Sequence, residues 1–188
     1  AIRGFGDNMS RTVDQEAKTL LGADLRLESD QPFDDSTEVL IDSLGGTQSR
    51  RVSFGSMAVF PKTGDTRLTA VRAVEGGYPF YGALTTRPDS AAGRYQDGRR
   101  ALVASTLLTQ YDVQVGDSVR IGRVTYEIAG EIKQAPGESS FSSAARPPIY
   151  VPRAGLDASL LERGSLAEYE VYFKFEDDRD ITQLVSGI

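Results

Sequence analysis

The chain has 188 residues, of which 39% are hydrophobic and 26% charged, and a formal net charge of −6. This composition is ordinary for a soluble globular protein, and the length allows one good hydrophobic core or two small ones. The acidic balance argues against nucleic acid as a main partner, because phosphate binding requires clustered lysine and arginine.

Histidine and cysteine are both absent from the chain. Ser-His-Asp and Cys-His catalysis, histidine-ligated metals and disulfides are therefore excluded. A Ser-Lys dyad is still possible in principle, but it requires a desolvated lysine. The pattern favours exposure for Lys62, which stands beside a turn, and for Lys174, on the outward face of a strand. We therefore predict no catalytic residue, no cofactor and no metal site.

Two pairs of neighbouring carboxylates, Asp34-Asp35 and Asp177-Asp178, stand just before predicted helices. Anionic side chains in that position stabilise the positive end of the helix dipole. Capping is therefore the favoured role, ahead of a glycosidase pair or a calcium site, since no EF-hand spacing is present.

The N-terminal segment carries an apolar residue at every fourth position, which predicts a helix with one apolar stripe over residues 2–21. The stripe consists of Phe5, Met9, Val13, Ala17 and Leu21. This helix either packs on its own domain or is the lower end of a helix that continues upstream. No run approaches the roughly 20 apolar residues of a membrane span, so we expect a soluble piece.

A strand, a helix and a second strand come next. Residues 23–28 alternate as a half-buried strand with Leu25 and Leu27 inward. Asp35 and Glu38 have capping-box spacing and predict a short amphipathic helix. Its apolar positions are Val39, Leu40 and Leu44. The second strand covers residues 51–60, and the β-α-β order favours a right-handed crossover between parallel strands.

The second strand changes its apolar phase at Gly55. Val52 and Phe54 share one face before the glycine, and Met57 and Val59 continue the pattern out of phase after it. A glycine at a phase change predicts a β-bulge at this position.

The C-terminal segment matches this first unit. Apolar residues alternate over residues 169–175, with Glu170, Tyr172 and Lys174 on the opposite face, and Asp180 is spaced to cap a following helix. We predict two ferredoxin-like half repeats, the second truncated before its last strand, in one α/β subdomain over residues 23–64 and 153–188. The fold class is thus α+β.

The middle of the chain, residues 65–152, is predicted to be a β-rich insertion. Its most informative block is residues 107–132, where a short apolar helix precedes two alternating strands that meet at Gly122-Arg123. We also expect a strand, an aromatic turn, two polar loops and a short edge strand between prolines. These cover, in that order, residues 66–75, 78–82, 89–100, 134–148 and 149–151.

Four residues are candidates for contact with a substrate or partner. Phe80 and Tyr81 belong to the aromatic turn, which either forms an exposed clamp for a lipid or peptide or, more often, closes a core. Phe141 is an isolated aromatic residue in the serine-rich loop over residues 134–148, and Arg146 lies in the same loop.

The order of several segments resembles the periplasmic core domain of MacB-like and FtsX-like ABC transporter permeases, and within them YbbP-type permeases. The segments are LLGADLRLES, YPFYG, VQVGDSVRIGRVTYEIAGEI, PPIYVP and GSLAEYEVYFKF. The resemblance implies a non-catalytic domain on the periplasmic face of the bacterial inner membrane. It also implies a stalk helix over residues 1–22, a porter-like subdomain and an inserted, mostly β, Sabre-like subdomain.

The resemblance further implies partners and a mechanical role. The partners are the transmembrane remainder of the permease, a cytoplasmic ATPase subunit and a periplasmic or lipid-linked substrate. ATP hydrolysis on the separate subunit would move membrane helices, and the stalk would pass that motion to this domain. Two alternatives stay open at this stage: a free-standing module that binds the cell envelope, and a lipid or ester hydrolase.

Overall fold

The computed structural model describes residues 18–162 and 166–176, with backbone alone at residues 140 and 141. Within this part of the chain no helix is both long and apolar enough to cross a bilayer. Three sequence predictions lie outside the described residues: most of the helix over residues 2–21, the Asp177-Asp178 pair and the helix after Asp180. Residues 18–21 are helical.

Apart from the helical residues 18–21, the described residues form nine strands, four α-helices and a 3-10 helix. The strands are β1 (Leu25–Ser29), β2 (Thr47–Phe60), β3 (Asp65–Glu75), β4 (Thr85–Arg87), β5 (Arg100–Ala104), β6 (Ser118–Ile121), β7 (Val124–Gln134), β8 (Pro148–Pro152) and β9 (Glu168–Lys174). The α-helices are α1 (Asp35–Leu44), α2 (Ala91–Arg94), α3 (Ser105–Gln110) and α4 (Ser140–Ala145), and the 3-10 helix covers Ala158–Leu161.

Six of the strands close into a ring. The pairing runs β2-β3-β8-β5-β7, and β6 then pairs with both β7 and β2. The side chains that point into the ring form the largest core cluster, together with Leu107 and Leu108 of α3. The closed ring leaves no free edge between these strands. The buried side chains fill its interior, which is therefore a packed core.

The remaining strands extend this sheet on two sides. β4 pairs with β7, and on the other side the order is β1-β9-β2. β1 and β2 are both antiparallel to β9 and therefore parallel to each other. The predicted parallel pair thus exists, but β9 lies between its members, which makes the unit a split β-α-β. β2 belongs both to this unit and to the ring, so hydrogen bonding is continuous across the predicted boundary at residue 64.

Helix α1 covers the outer face of β1 and β9. Its N-cap is Asp34, one residue earlier than the capping box predicts, and the Asp34 carboxylate accepts from the Thr37 N–H at 2.8 Å. Ile41 and Leu44 are buried against apolar side chains of β1 and β9, whereas Val39 is 69% exposed. The capping role predicted for Asp34-Asp35 is therefore confirmed for Asp34.

The predicted bulge at Gly55 is wrong. β2 and β3 pair without a shift of register from Arg50 to Phe60. Alternate β2 side chains on both sides of the glycine, namely Val52, Phe54, Ala58 and Phe60, lie in the same core cluster. The apparent phase change arose because a small alanine fills an inward position while Met57, on the other face, is 50% exposed. β2 has no bulge at this position, where it changes its pairing partner from β9 to β6.

The segment over residues 149–151 is not an edge strand. β8 pairs in parallel with β3 and antiparallel with β5, and all five of its residues are buried. Its two prolines stand at the first and last positions, Pro148 and Pro152, where a missing N–H interrupts the ladder least.

Both polar segments expected to be loops contain helices. Residues 89–100 include α2, and Tyr95 directly after it is 1% exposed. Residues 134–148 include α4, which is capped by Ser139 through a 3.1 Å hydrogen bond from the Ser142 N–H. The block over residues 107–132 agrees with the prediction, because α3, β6 and β7 follow one another with alternate residues buried.

Substitution of Ile41 by alanine should lower the free energy of unfolding by about 2–5 kcal/mol, since it removes methyl groups from a fully buried site. Val39→Ala, on the exposed face of the same helix, should change it by less than about 0.5 kcal/mol. Urea unfolding of both variants measures the difference. Equal losses would contradict the packing of α1.

Candidate functional site

A buried ion pair joins β2 to β9. The Arg51 guanidinium donates to Glu170 through Nε at 2.7 Å and through a second nitrogen at 3.0 Å. Glu170 also accepts from the Ser53 hydroxyl at 3.0 Å and from the Tyr172 hydroxyl at 3.1 Å. Arg51 is 8% exposed and Glu170 3% exposed, so both charges are removed from water and paired by two parallel hydrogen bonds.

Two tyrosine rings flank this ion pair. The Arg51 guanidinium carbon lies 5.1 Å from the ring centroids of both Tyr78 and Tyr172, and the two centroids are 4.1 Å apart. Tyr78, the first residue of the aromatic turn, is only 6% exposed. This residue therefore closes a core, as the more frequent of the two interpretations of the turn predicts. We call Arg51, Ser53, Tyr78, Glu170 and Tyr172 the ion-pair cluster.

The ion-pair cluster changes the titration of its charged members. Burial alone would raise the pKa of Glu170, but hydrogen bonds from Arg51, Ser53 and Tyr172 and the positive charge of Arg51 outweigh it and hold that pKa below its ordinary value. Burial raises the pKa of the Tyr172 hydroxyl, which therefore stays protonated as a donor. The carboxylate is thus ionised at neutral pH in a site that is almost dry.

A second group of side chains surrounds Asp24, just after the helical residues 18–21. Its carboxylate pairs with the Lys18 ammonium at 3.0 Å, accepts from the Tyr81 hydroxyl at 3.0 Å and accepts from the Phe175 N–H at 2.8 Å. The ammonium groups of Lys18 and Lys174 each lie 5.9 Å from the Tyr81 ring centroid. We call these five residues the Asp24 cluster.

The Asp24 carboxylate is ionised and almost buried, with 5% of the side chain exposed. Burial opposes its charge, yet the hydrogen bonds from Phe175, Lys18 and Tyr81 hold its pKa below the ordinary value. One carboxylate therefore connects the end of the N-terminal helical segment, the aromatic turn and the end of β9.

The backbone next to Asp24 is equally constrained. The Gly22 carbonyl accepts from the N–H groups of Phe80 and Tyr81 at 2.7 and 3.2 Å. Gly22 has a φ of 77°, and a Cβ at this position would lie 2.9 Å from the Tyr78 ring. Only glycine fits both the left-handed conformation and the close approach.

A cleft of about 330 Å³ lies between helix α4 and the outer face of β2 and β3. Its floor includes Gly55 and Ala70, and Arg146, Leu166 and Glu168 contribute to its sides. The Arg72 guanidinium in its wall pairs with the Glu138 carboxylate at 3.0 Å. We call this the α4 cleft.

A larger cleft of about 520 Å³ lies on the other side of the segment that leads into α4. Thr19 and Leu20 line it, opposite Pro136 and Gly137. Glu138 lines both clefts, so the two are separated by a single stretch of chain.

The four contact candidates fall in different places. Phe80 packs against the core cluster that contains Tyr78, and Tyr81 is part of the Asp24 cluster. Arg146 lines the α4 cleft, and the side chain of Phe141 lies outside the described part of the chain. The geometry does not bring Phe80, Tyr81 and Arg146 together as one surface, and the role of all four residues in contacts stays a prediction.

Sequence reasoning missed the ion-pair cluster. The alternation over residues 169–175 predicts an outward face for Glu170 and Tyr172, yet both are buried because β9 is covered on its two faces. A signal was available: Tyr172 is a large aromatic residue on the face assigned to solvent, two positions from the carboxylate.

Three carboxylates, those of Glu28, Glu168 and Glu170, lie within 4.8 Å of one another. Arginines already neutralise two of them, since Arg26 pairs with Glu28 at 2.8 Å and Arg51 with Glu170. The arrangement is therefore part of an ion-pair network. The prediction of no metal site stays a prediction.

Glu170→Gln should lower the free energy of unfolding at pH 7 by about 3–5 kcal/mol, because it leaves the Arg51 charge buried without its counter-charge. The pKa of Glu170 is depressed in the folded state, so its contribution is present above the unfolded pKa and is lost as the pH falls through the folded pKa. The difference between variant and wild type should therefore shrink as the pH is lowered below about 4.

Urea unfolding across this pH range measures the effect. Glu28→Gln, which removes an exposed carboxylate of the same network, should cost no more than about 1 kcal/mol. A Glu170→Gln variant as stable as Glu28→Gln at pH 7 would contradict the assignment.

Comparisons with known proteins agree with this architecture. Residues 1–188 match the family model described as the MacB-like periplasmic core domain. The uncharacterized ABC transporter permease YbbP of Escherichia coli (strain K12) is 31% identical over 152 residues, which cover 78% of this chain and 18% of that protein. The matched part of the chain thus spans less than a fifth of the length of this relative.

Two solved structures share the fold. The periplasmic region of MacB from Actinobacillus actinomycetemcomitans has a TM-score of 0.53 at 8% identity, over 81% of this chain and 70% of that one. The extracellular domain of the noncanonic ABC-type transporter YknZ from Gram-positive bacteria has a TM-score of 0.54 at 14% identity, over 85% and 88%. They confirm the predicted α+β class, and the match to the family model over the whole chain confirms the resemblance. The chain belongs to the MacB-like periplasmic core domain family.

Proposed function

We propose that this domain is a non-catalytic coupling element, which passes ATP-driven motion of membrane helices to a lipid-related or envelope substrate outside the inner membrane. Its partners are the transmembrane remainder of the same permease and a cytoplasmic ATPase subunit. The observation that carries the proposal is the Asp24 cluster, where one carboxylate binds three segments of the chain at 2.8–3.0 Å.

The Asp24 cluster is placed where a force from the N-terminal helix would enter the domain. Lys18 and Asp24 stand at the end of the helical segment, and Phe175 stands at the end of β9. A displacement of residues 18–21 would therefore load β9 directly through the Phe175 N–H. Because charge-assisted hydrogen bonds are shorter and stronger than neutral ones, the Asp24 cluster is suited to transmit motion, and we call it the joint between the helix end and β9.

Further contacts carry the same motion sideways. The Thr19 carbonyl oxygen would be 3.2 Å from a Cβ on Gly82, and the Leu20 carbonyl oxygen 3.6 Å from a Cβ on Gly137. The helix end thus lies close to both the aromatic turn and the segment that leads to α4. We propose that Tyr81 acts in the joint, and that Phe80, Phe141 and Arg146 contact the substrate or a partner.

The subdomain division is part of the proposal. A stalk over residues 1–22 would act on a porter-like subdomain, residues 23–64 and 153–188, with the Sabre-like insertion over residues 65–152 moving in response. The continuity of β2 between the split β-α-β unit and the ring supports a stiff connection, because an unbroken strand leaves no hinge between them.

The experiment uses the intact permease with its ATPase in lipid vesicles. A fluorescent donor on a single cysteine at Val115, which is 45% exposed, reports energy transfer to acceptors on lipid headgroups. Trapping ATP on the ATPase subunit should change the efficiency of this energy transfer in the wild type. Asp24→Ala should remove most of the change while ATP hydrolysis continues, because the joint loses about 1–3 kcal/mol when its donors lose their acceptor.

Asp97→Ala is the matched control, since Asp97 is an exposed aspartate remote in sequence from the cluster. It should behave as the wild type. Absence of any ATP-dependent change in the wild type, or a full change in Asp24→Ala, would contradict the coupling role.

A further inference from the structure

A glycine stands in the middle of the longest strand and forms part of the floor of the α4 cleft. Gly55 occupies the ninth of 14 positions in β2, where glycine costs roughly 0.5–1 kcal/mol relative to alanine. Its φ lies outside the left-handed region, and its pairing with β3 has no bulge. No backbone atom lies closer than 4.0 Å to a Cβ built on it. A turn, a bulge and a close backbone approach are therefore missing at Gly55. The glycine stands where β2 leaves β9, after Ser53, and before it reaches β6 at Ala58, a position at which strands of a closed sheet also use glycine.

A second feature of this position is the space above it. Gly55 is exposed and forms part of the floor of the α4 cleft, and the nearest atom to its built Cβ is Nη1 of Arg146, at 3.4 Å. A side chain at this position would occupy the cleft. The glycine therefore keeps open a space that already has the size of a small-ligand site.

The arginines around the cleft differ in whether a neighbouring group binds them. Arg72 is paired with Glu138, and Arg67 donates to the carbonyls of Ala144 and Ala145, which holds the end of α4 in place. Among the ion pairs formed within residues 18–162 and 166–176, none includes Arg146, whose guanidinium lies over Gly55. The cleft thus offers one exposed cation that is not neutralised by these residues.

The rest of the lining is largely aliphatic or small. Leu166 is 92% exposed and lines the cleft, as do Ala70 and Ala145. Leu68, 40% exposed, lies beside the floor, with its Cδ1 atom 3.9 Å from the built Cβ of Gly55. Glu168, on the same chain segment as Leu166, would repel an anion at that end of the cleft. The cleft therefore has a cationic side at Arg146 and an apolar side at Leu166.

We propose that the α4 cleft binds a ligand in which a carboxylate is joined to an aliphatic chain. The Arg146 guanidinium receives the carboxylate through paired hydrogen bonds, and the chain lies over Gly55 towards Leu166. Two sources offer this chemistry: a free fatty acid, through its carboxylate end, and an aliphatic peptide, through its C-terminal carboxylate. The inference is independent of the coupling role, since it concerns binding by this domain and not its response to ATP.

The test titrates the 188-residue chain by calorimetry with octanoate, with N-acetyl-Val-Leu as the free acid, and with octanamide and the peptide amide as neutral matches. At least one acid should bind, and its amide should bind at least about tenfold more weakly. Binding of octanoate alone indicates the acyl source, and binding of the peptide acid alone indicates the peptide source. If neither acid binds, or if acids and amides bind equally, the proposal is overturned.

Two variants locate the binding. Arg146→Gln removes the cation, and Gly55→Val fills the floor with a side chain that strands favour, so this second variant should unfold at the same or higher urea concentration than the wild type. Each should weaken the acid by about tenfold or more. Arg94→Gln, at an exposed arginine in α2, should leave the affinity unchanged. Unchanged affinity in either Gly55→Val or Arg146→Gln would overturn the site.

Discussion

The fold depends on the ion pair between Arg51 and Glu170, which lie 119 residues apart in the chain. A paired charge buried to this degree is costly unless every polar atom around it is satisfied. Here the Ser53 and Tyr172 hydroxyls donate to the Glu170 carboxylate, and two tyrosine rings cover the guanidinium, whereas the buried Tyr150 hydroxyl nearby has no hydrogen-bond partner among the described residues. The requirement fixes the register of β9 against β2, because a shift by one residue would move Glu170 to the opposite face, among the apolar side chains under α1.

β2 carries that constraint into the rest of the molecule. Its first half pairs with β9 inside the split β-α-β unit, and its second half pairs with β6 to complete the ring. β3 accompanies it along the whole length from Arg50 to Phe60. The two parts of the fold therefore share a strand. The ion pair that positions β9 also positions Glu168, which lies opposite Ser53 in the register of β9 against β2 and lines the α4 cleft with it.

The local sequence pattern was sufficient to predict most helices and strands, but it was insufficient to predict which strands pair with one another. The strands around Leu25, Val119 and Val171 and the helix ending at Leu44 follow from spacing alone, because side-chain period and end signals are local. The placement of β9 between β1 and β2 and the burial of β8 depend on long-range pairing, which period cannot report. The ion-pair cluster was missed for the same reason: a Glu in a strand is assigned to solvent until the element that covers it is known. The α4 cleft could be foreseen only in part, through Arg146.

The aromatic turn connects the two polar clusters, and this gives the coupling proposal its physical content. Tyr78 lies against the Arg51 guanidinium, while Tyr81, three residues later, donates to Asp24. Between them, the N–H of Phe80 binds the Gly22 carbonyl. A displacement of residues 18–24 therefore reaches the buried Arg51–Glu170 ion pair through the aromatic turn. Such a site deforms little, because any shift that opens the pair exposes an uncompensated charge to the dry interior. The helix end and the strands it contacts should accordingly move as one body.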